Sequence, residues 1–222
     1  MSLPAERKKD TCDACTKEYT IMFILDFGHG ADTKGKSFTH ENGTTLHEYE
    51  INRDLGQRVA YHCKMNGIPF AVIVTEAADV SLSERVARAN KIARRCPWSM
   101  LLSIHCTASA THNAGGWEVH TSPGTTQSDA YARIMWEEAQ KELGKATMRA
   151  DWSDGDPDWD SKFTVLTKTV CPAMLVETLF FDYWPDAEVL RSEEGRERLA
   201  LIMYRGIKRI WETYGKHHYN KL

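Results

Sequence analysis

The chain has 222 residues, 42% of them hydrophobic and 27% charged. That balance is ordinary for a globular protein, and the length points to one large domain or two small ones, with a single core affordable without disulfide or metal staples. Its 28 basic and 31 acidic residues leave a net charge of -3, which argues against a nucleic-acid-binding surface and against a polybasic membrane anchor. No stretch approaches the ~20 apolar residues of a membrane span.

Residues 1–20 are polar and aperiodic and read as an N-terminal arm. They carry charge but no apolar core of a signal peptide, so synthesis in the cytoplasm without a secretory signal is expected. The arm holds Cys12 and Cys15. A single CxxC is half a zinc site, and with no second half in the chain the pair reads as incidental. Cys63, Cys96, Cys106 and Cys171 stand singly and read as reduced thiols.

IMFILDF (21–27) is a continuous apolar run of strand length that ends in Gly28-His29-Gly30. Residues 31–45 are rich in Gly, Thr, Ser and Asn and predict a long loop, of a length that is often functional. A helix is expected from Leu46, with Ile51, Leu55 and Val59 on one stripe, and Asn66-Gly67 ends it. FAVIVT (70–75) predicts a second strand. A helix over 82–95 follows, closed by Pro97. MLLSIH (100–105) and WEVHTS (117–122) predict the next two strands, and 128–143 a helix capped by Gly144. RADWSDGDPDW (149–159) is an acidic, aromatic loop. FTVLT (163–167) and AMLVET (173–178) predict two more strands, and 195–214 a closing helix. Strands alternating with helices imply an α/β fold: one domain over 21–214, with a mostly parallel twisted sheet of about six strands flanked by helices, and a short tail at 215–222.

In open α/β sheets, ligands bind beyond the carboxyl ends of the strands. The first strand ends at His29, the third at His105, and the AMLVET strand at Glu177. Glu48 stands in the first turn of the first helix. Each has an ordinary reading by itself: a hydrogen-bonded histidine at a strand end, or a helix-dipole partner for Glu48. Glu177 is harder to explain so, because a carboxylate ending an apolar strand is costly unless paired or working. Together they form a set of two imidazoles and a carboxylate that suits catalytic zinc, with a second carboxylate as general base for bound water. The residues alone do not rank the two glutamates. His120 is a weaker candidate for lining the site. Ser103 lacks a nucleophile-elbow setting, and Cys106 points away from His105 on a strand. No nucleotide-binding glycine loop is present.

At these residues the sequence resembles the zinc-dependent N-acetylmuramoyl-L-alanine amidases, the amidase_3 family of peptidoglycan hydrolases. The matching segments run in the family's order: LDFGHG, HEYEIN, SLSERVARAN, LLSIHC and CPAMLVETLFFD. The resemblance implies His29, Glu48 and His105 as zinc ligands, with the register of HEYEIN selecting Glu48 over Glu50, and Glu177 as the catalytic carboxylate. It further implies one zinc ion, peptidoglycan as substrate, and cleavage of the amide between N-acetylmuramic acid and L-alanine. Arg149, Asp151, Trp152 and His120 are expected as substrate contacts. The loops SDGDPDW and TSPGTTQSD resemble those of amidases from gut Bacteroidales and their phages. Ala31 departs from the usual GHGG, and Thr178-Leu179-Phe180 from the usual Gly-Phe after the last glutamate; neither removes a ligand.

A monomer that acts on the cell wall after release is expected, as a phage lysin or a bacterial wall-remodelling enzyme. Neither nucleic acid nor membrane insertion is expected. With 21–214 in one catalytic domain, wall recognition is expected in the catalytic groove or from a partner. Three rivals stand beside this reading. A glycosidase pairing Glu48 with Glu177 leaves both histidines idle. The others are another zinc hydrolase of wall components, such as a peptidase or deacetylase, and a wall-binding module without catalysis.

Overall fold

The computed structural model describes residues 21–215. The arm, its CxxC, and the tail beyond Gly215 lie outside the described residues. The elements run in the order β1 (Met22–Phe27), β2 (Ser37–Thr39), β3 (Thr45–His47), α1 (Glu48–Met65), β4 (Phe70–Val72), α2 (Leu82–Ala93) and β5 (Ser99–Thr107). They continue with β6 (Glu118–Thr121), α3 (Gln127–Leu143), β7 (Trp159–Asp160), α4 (Thr164–Thr167), β8 (Ala173–Phe180), α5 (Trp184–Arg191) and α6 (Glu193–Tyr214).

Six strands form one sheet in the order β4-β1-β5-β8-β6-β7. The neighbouring strands β4, β1, β5 and β8 are parallel. β1 is buried along its whole length because both faces of the sheet are covered, which is why it reads as an unbroken apolar run. On one face α1, α3, α5 and α6 pack over Phe23, Leu25, Phe27, Leu102, Ile104 and Val176. On the other, α2 and α4 cover a smaller patch around Ile24, Leu101, Val165 and Leu175. Helices cover both sides of the sheet.

The expected single α/β domain is present, with five differences in detail. β6 pairs antiparallel with β8, and β7 joins β6 in parallel, so the last two strands reverse the direction of the other four. The expected loop at 31–45 contains the β2–β3 hairpin, whose strands are too short for periodicity to reveal. The segment at 163–167 is not a strand: Thr164–Thr167 is a single helical turn, closed by Thr167 N–H to Phe163 O and Lys168 N–H to Thr164 O, both 3.0 Å. It buries the adjacent residues Val165 and Leu166, so the apolar run carried no information about period. Helix α5, opened by Pro185 in its first turn, was not expected from the pattern. Cys63, Cys106 and Cys171 are free thiols, whereas Cys96 is disulfide-bonded, which corrects the reading of that residue as reduced.

Candidate active site

His29 follows β1 through a sharp turn, with its own backbone left-handed at φ 58°. A non-glycine residue in that region is strained and is held there by its surroundings. Here the surroundings are two arginines. Arg53 of α1 donates to Phe27 O at 2.6 Å and His29 O at 2.7 Å. Arg85 of α2 donates to Phe27 O at 2.7 Å and His29 O at 3.1 Å. Helices on opposite faces of the sheet thus grip the same three-residue turn. Arg85 is itself buried and pairs with Asp26 at 2.7 Å, and Asp26 accepts a second bond from Ser103 at 2.7 Å. Gly28 lies flat against His105: a Cβ there would run into its imidazole ring.

Glu48 opens α1 with no side-chain exposure. Its Oε1 lies 3.3 Å from His29 Nε2 and 3.1 Å from His105 Nδ1, and Asn52 one turn on donates to the same oxygen at 3.3 Å. Lys36, just before β2, brings its Nζ to 3.1 Å from Glu48 Oε2. The two imidazole rings stand edge to face, 4.9 Å apart. Burial opposes the charge on Glu48, but the hydrogen bonds to His105 and His29 outweigh it and hold the carboxyl well below the usual range. Burial lowers the pKa of His29. For His105 burial acts in the same sense, and Glu48 and Glu177 overcome it, leaving the pKa raised.

One donor atom from each of His29, Glu48 and His105 lies within 4.8 Å of the others. Tetrahedral zinc with bonds near 2.0–2.1 Å sets its ligand atoms about 3.3 Å apart, close to the two nitrogen-to-carboxylate distances here. A fully buried carboxylate between two imidazoles also calls for a cation at their focus. The three residues therefore fit a divalent metal, and the donor set of two nitrogens and one oxygen suits zinc.

Glu177 sits in β8 directly beside His105 of β5, and Glu118 of β6 is its neighbour on the other side. Residues paired in register share a face of the sheet, so the three side chains form a row across it. Glu177 Oε2 has no hydrogen-bond partner. Burial, opposed by His105 and reinforced by Glu48, pushes its carboxyl up to about 8. A carboxyl of this kind accepts a proton readily near neutral pH. His29, His105 and Glu177 all line a cleft of ≈ 620 Å³, whose far wall is made by Lys162, Phe163 and α4.

The weaker candidates divide. Arg149 is bonded to Glu118, which faces Glu177, and His120 Nε2 lies 3.3 Å from the other oxygen of Glu118; both stand at the margin of the site. Asp151 and Trp152 do not line the cleft. Asp151 accepts from the backbone of Ser153, and Trp152 packs edge-on against Trp136 of α3, on the opposite face of the sheet. The residues that the sequence reading missed are the supports Asp26, Arg53, Arg85 and Lys36. Asp26 alone left a signal, as a carboxylate inside an apolar strand.

Known proteins share this architecture. The sequence model of the family described as N-acetylmuramoyl-L-alanine amidase matches residues 23–209. The N-acetylmuramoyl-L-alanine amidase LytC of Bacillus subtilis is 27% identical over 185 residues, covering 82% of this chain and 34% of LytC, so the chain spans about a third of that protein. Another B. subtilis protein, the uncharacterised YqiI, is 27% identical over 191 residues, covering 85% of this chain and 84% of its own. An N-acetylmuramoyl-L-alanine amidase structure from Clostridium difficile 630 superposes with a TM-score of 0.76 at 21% identity, over 89% of this chain and all of that one; at that identity the likeness is one of fold.

Proposed function

The chain belongs to the N-acetylmuramoyl-L-alanine amidase family, and from that premise we propose that it hydrolyses the amide between N-acetylmuramic acid and the L-alanine of the peptidoglycan stem peptide. The observation that carries this reading is the row at the sheet edge: Glu177 in register with His105, and His105 converging with His29 on Glu48.

We take His29, Glu48 and His105 as the ligands of one zinc ion. When bound, zinc lowers the pKa of a coordinated water toward neutrality and stabilises negative charge on a carbonyl oxygen. Glu177 removes the proton of the attacking water, since its buried carboxylate is a stronger base than an exposed one. It then delivers that proton to the departing amine of L-alanine, so that one group serves as base and then as acid. Arg53 and Arg85 hold the His29 turn in its strained form, and Asn52 keeps Glu48 Oε1 directed at the histidines. Phe163, 42% exposed on the cleft wall, and Lys162 beside it offer an apolar surface and a positive charge to the substrate. Arg149 fixes Glu118 beside Glu177 at the margin of the site. The same chemistry serves a phage lysin and a wall-remodelling enzyme. No helix among the described residues is long and apolar enough to cross a membrane, and the site of action we propose is the cell wall.

The test combines zinc content with the products of digested peptidoglycan for the wild type, His105→Ala and Glu177→Ala. Wild type is expected to release new alanine amino termini. His105→Ala should lose zinc. Glu177→Ala should keep it and turn over about 100-fold more slowly or worse. New reducing ends from the wild type would favour a glycosidase instead, and a Glu177→Ala variant working at the wild-type rate would remove Glu177 from the mechanism.

A further inference from the structure

The acidic loop at 151–160 takes no part in the cleft. Its end pairs with the C-terminal end of β6 and brings Asp158 against Thr121, which also reaches Asp129 in the first turn of α3. Because β6 runs antiparallel to β8, the C-terminal end of β6 lies at the edge of the sheet away from Glu177. The Thr121 hydroxyl, fully buried, lies 2.6 Å from Asp158 Oδ2 and 3.2 Å from Asp129 Oδ1, so a single proton is offered to two carboxylates. Asp158 is only 4% exposed, yet its Oδ1 has no partner, and neither has the buried Oδ1 of Asp156. The carboxyl groups of Asp156 and Asp158 lie close enough for each to act on the charge of the other.

Among the described residues no lysine, arginine or histidine forms an ion pair with Asp129, Asp156 or Asp158. Arg133 of α3 is directed elsewhere, to Gly155 O at 2.8 Å and over the Trp152 ring. Two carboxylates in buried contact repel each other unless a cation or a shared proton lies between them. Burial, and then the neighbouring Asp156, push Asp158 up to about 7, so at neutral pH a shared proton is only partly retained, whereas a cation holds at any higher pH.

We propose that Asp156, Asp158 and the Thr121 hydroxyl form a second metal site, separate from the catalytic one, that binds a calcium-type divalent cation. The donors are all hard oxygens, with no nitrogen or sulfur among them, which selects calcium over zinc. The ion would tie the 151–160 loop to β6 and to the start of α3. That loop begins just after Arg149, so the tie also fixes the approach to the margin of the cleft.

Thermal unfolding of the zinc-loaded full chain in calcium chloride tests this, with calcium binding followed in parallel by calorimetry. At calcium concentrations about a hundredfold above its dissociation constant, the wild-type Tm should rise by roughly 5 °C or more, with one ion bound per chain. Asp158→Asn and the more exposed Asp156→Asn should each abolish both the rise and the binding. In calcium-free buffer at pH 8, Asp158→Asn should melt no lower than wild type, because the repulsion is gone. A wild-type Tm that ignores calcium and rises only on acidification would make the contact a shared proton and overturn the proposal. So would a calcium response equally present in both variants.

Discussion

Glu177 makes the stability of the metal-free protein depend on pH. Its carboxyl is pushed by burial up to about 8 in the folded chain, against an ordinary value of 4.5. Between those values the folded state holds a proton that the unfolded chain has lost, so stability falls as pH rises through that window. Glu177→Gln removes the slope. With chelator present, the variant is expected to match wild type near pH 4.5 and to exceed it at pH 8 by on the order of a few kcal/mol. Denaturant titrations at the two pH values check this, and parallel profiles would refute it. Arg85 gives the opposite kind of effect. Its removal leaves Asp26 buried, at 1% exposure, with only the Ser103 hydroxyl beside it. Arg85→Met should cost roughly 3–5 kcal/mol in urea unfolding and weaken zinc binding through the released His29 turn. At this scale much of the site was legible, because a histidine or glutamate ending an apolar strand has few places to go. Arg53 and Arg85 were not, because a guanidinium on a helix normally reaches solvent, and only the fold shows that these two reach a strained backbone.

Helix α1 connects the core to the proposed metal ligands. Ile51, Leu55 and Val59 bury its stripe under the sheet, and that anchorage sets where Glu48 stands one turn earlier. Gly56 lies where a Cβ would meet the Phe27 ring, so the helix backbone lies directly against the side chain of the residue two before His29. Leu55→Ala should lower stability by about 2–5 kcal/mol. Gly28→Ala should leave the fold largely intact but push the His105 ring out of place, read as lost zinc at nearly unchanged far-UV circular dichroism; full zinc occupancy in Gly28→Ala would show that the ring has room to move. The long elements were readable from pattern because their apolar residues repeat over several turns. The β2–β3 hairpin, β7 and α4 were not, since each has only two to four residues, too few to show a period. Those short pieces nonetheless place Lys36 on Glu48 and build the far wall of the cleft.

Across the whole molecule, the net charge of -3 offers no bulk attraction to an anionic wall polymer. In the proposed function the cleft contributes contacts of its own, where Lys36 and Lys162 are the positive groups offered by side chains on its wall beside the buried Arg85. Hydrolysis of peptidoglycan should change by less than about twofold between low and physiological salt; a steep decline would point to a long-range basic surface instead. The sheet has work at both edges in this view. The carboxyl ends of β1, β5 and β8 carry the catalytic row, and the far end of β6 carries the acidic cluster.

The sequence by itself determined the α/β fold and pointed to His29, Glu48, His105 and Glu177 as the candidates for the site. A parallel sheet sends its strand ends to one edge, and apolar runs mark where those strands stop. Tertiary structure alone decided the rest. The reversal of β6 put Glu118 beside Glu177 and carried Thr121 to the other edge. Packing of the 151–160 loop left Asp151 and Trp152 outside the cleft. The burial of Asp26 and Arg85 turned two ordinary charged residues into the support of the His29 turn. These outcomes depend on which surfaces meet across the folded chain, and local periodicity carries no information about that.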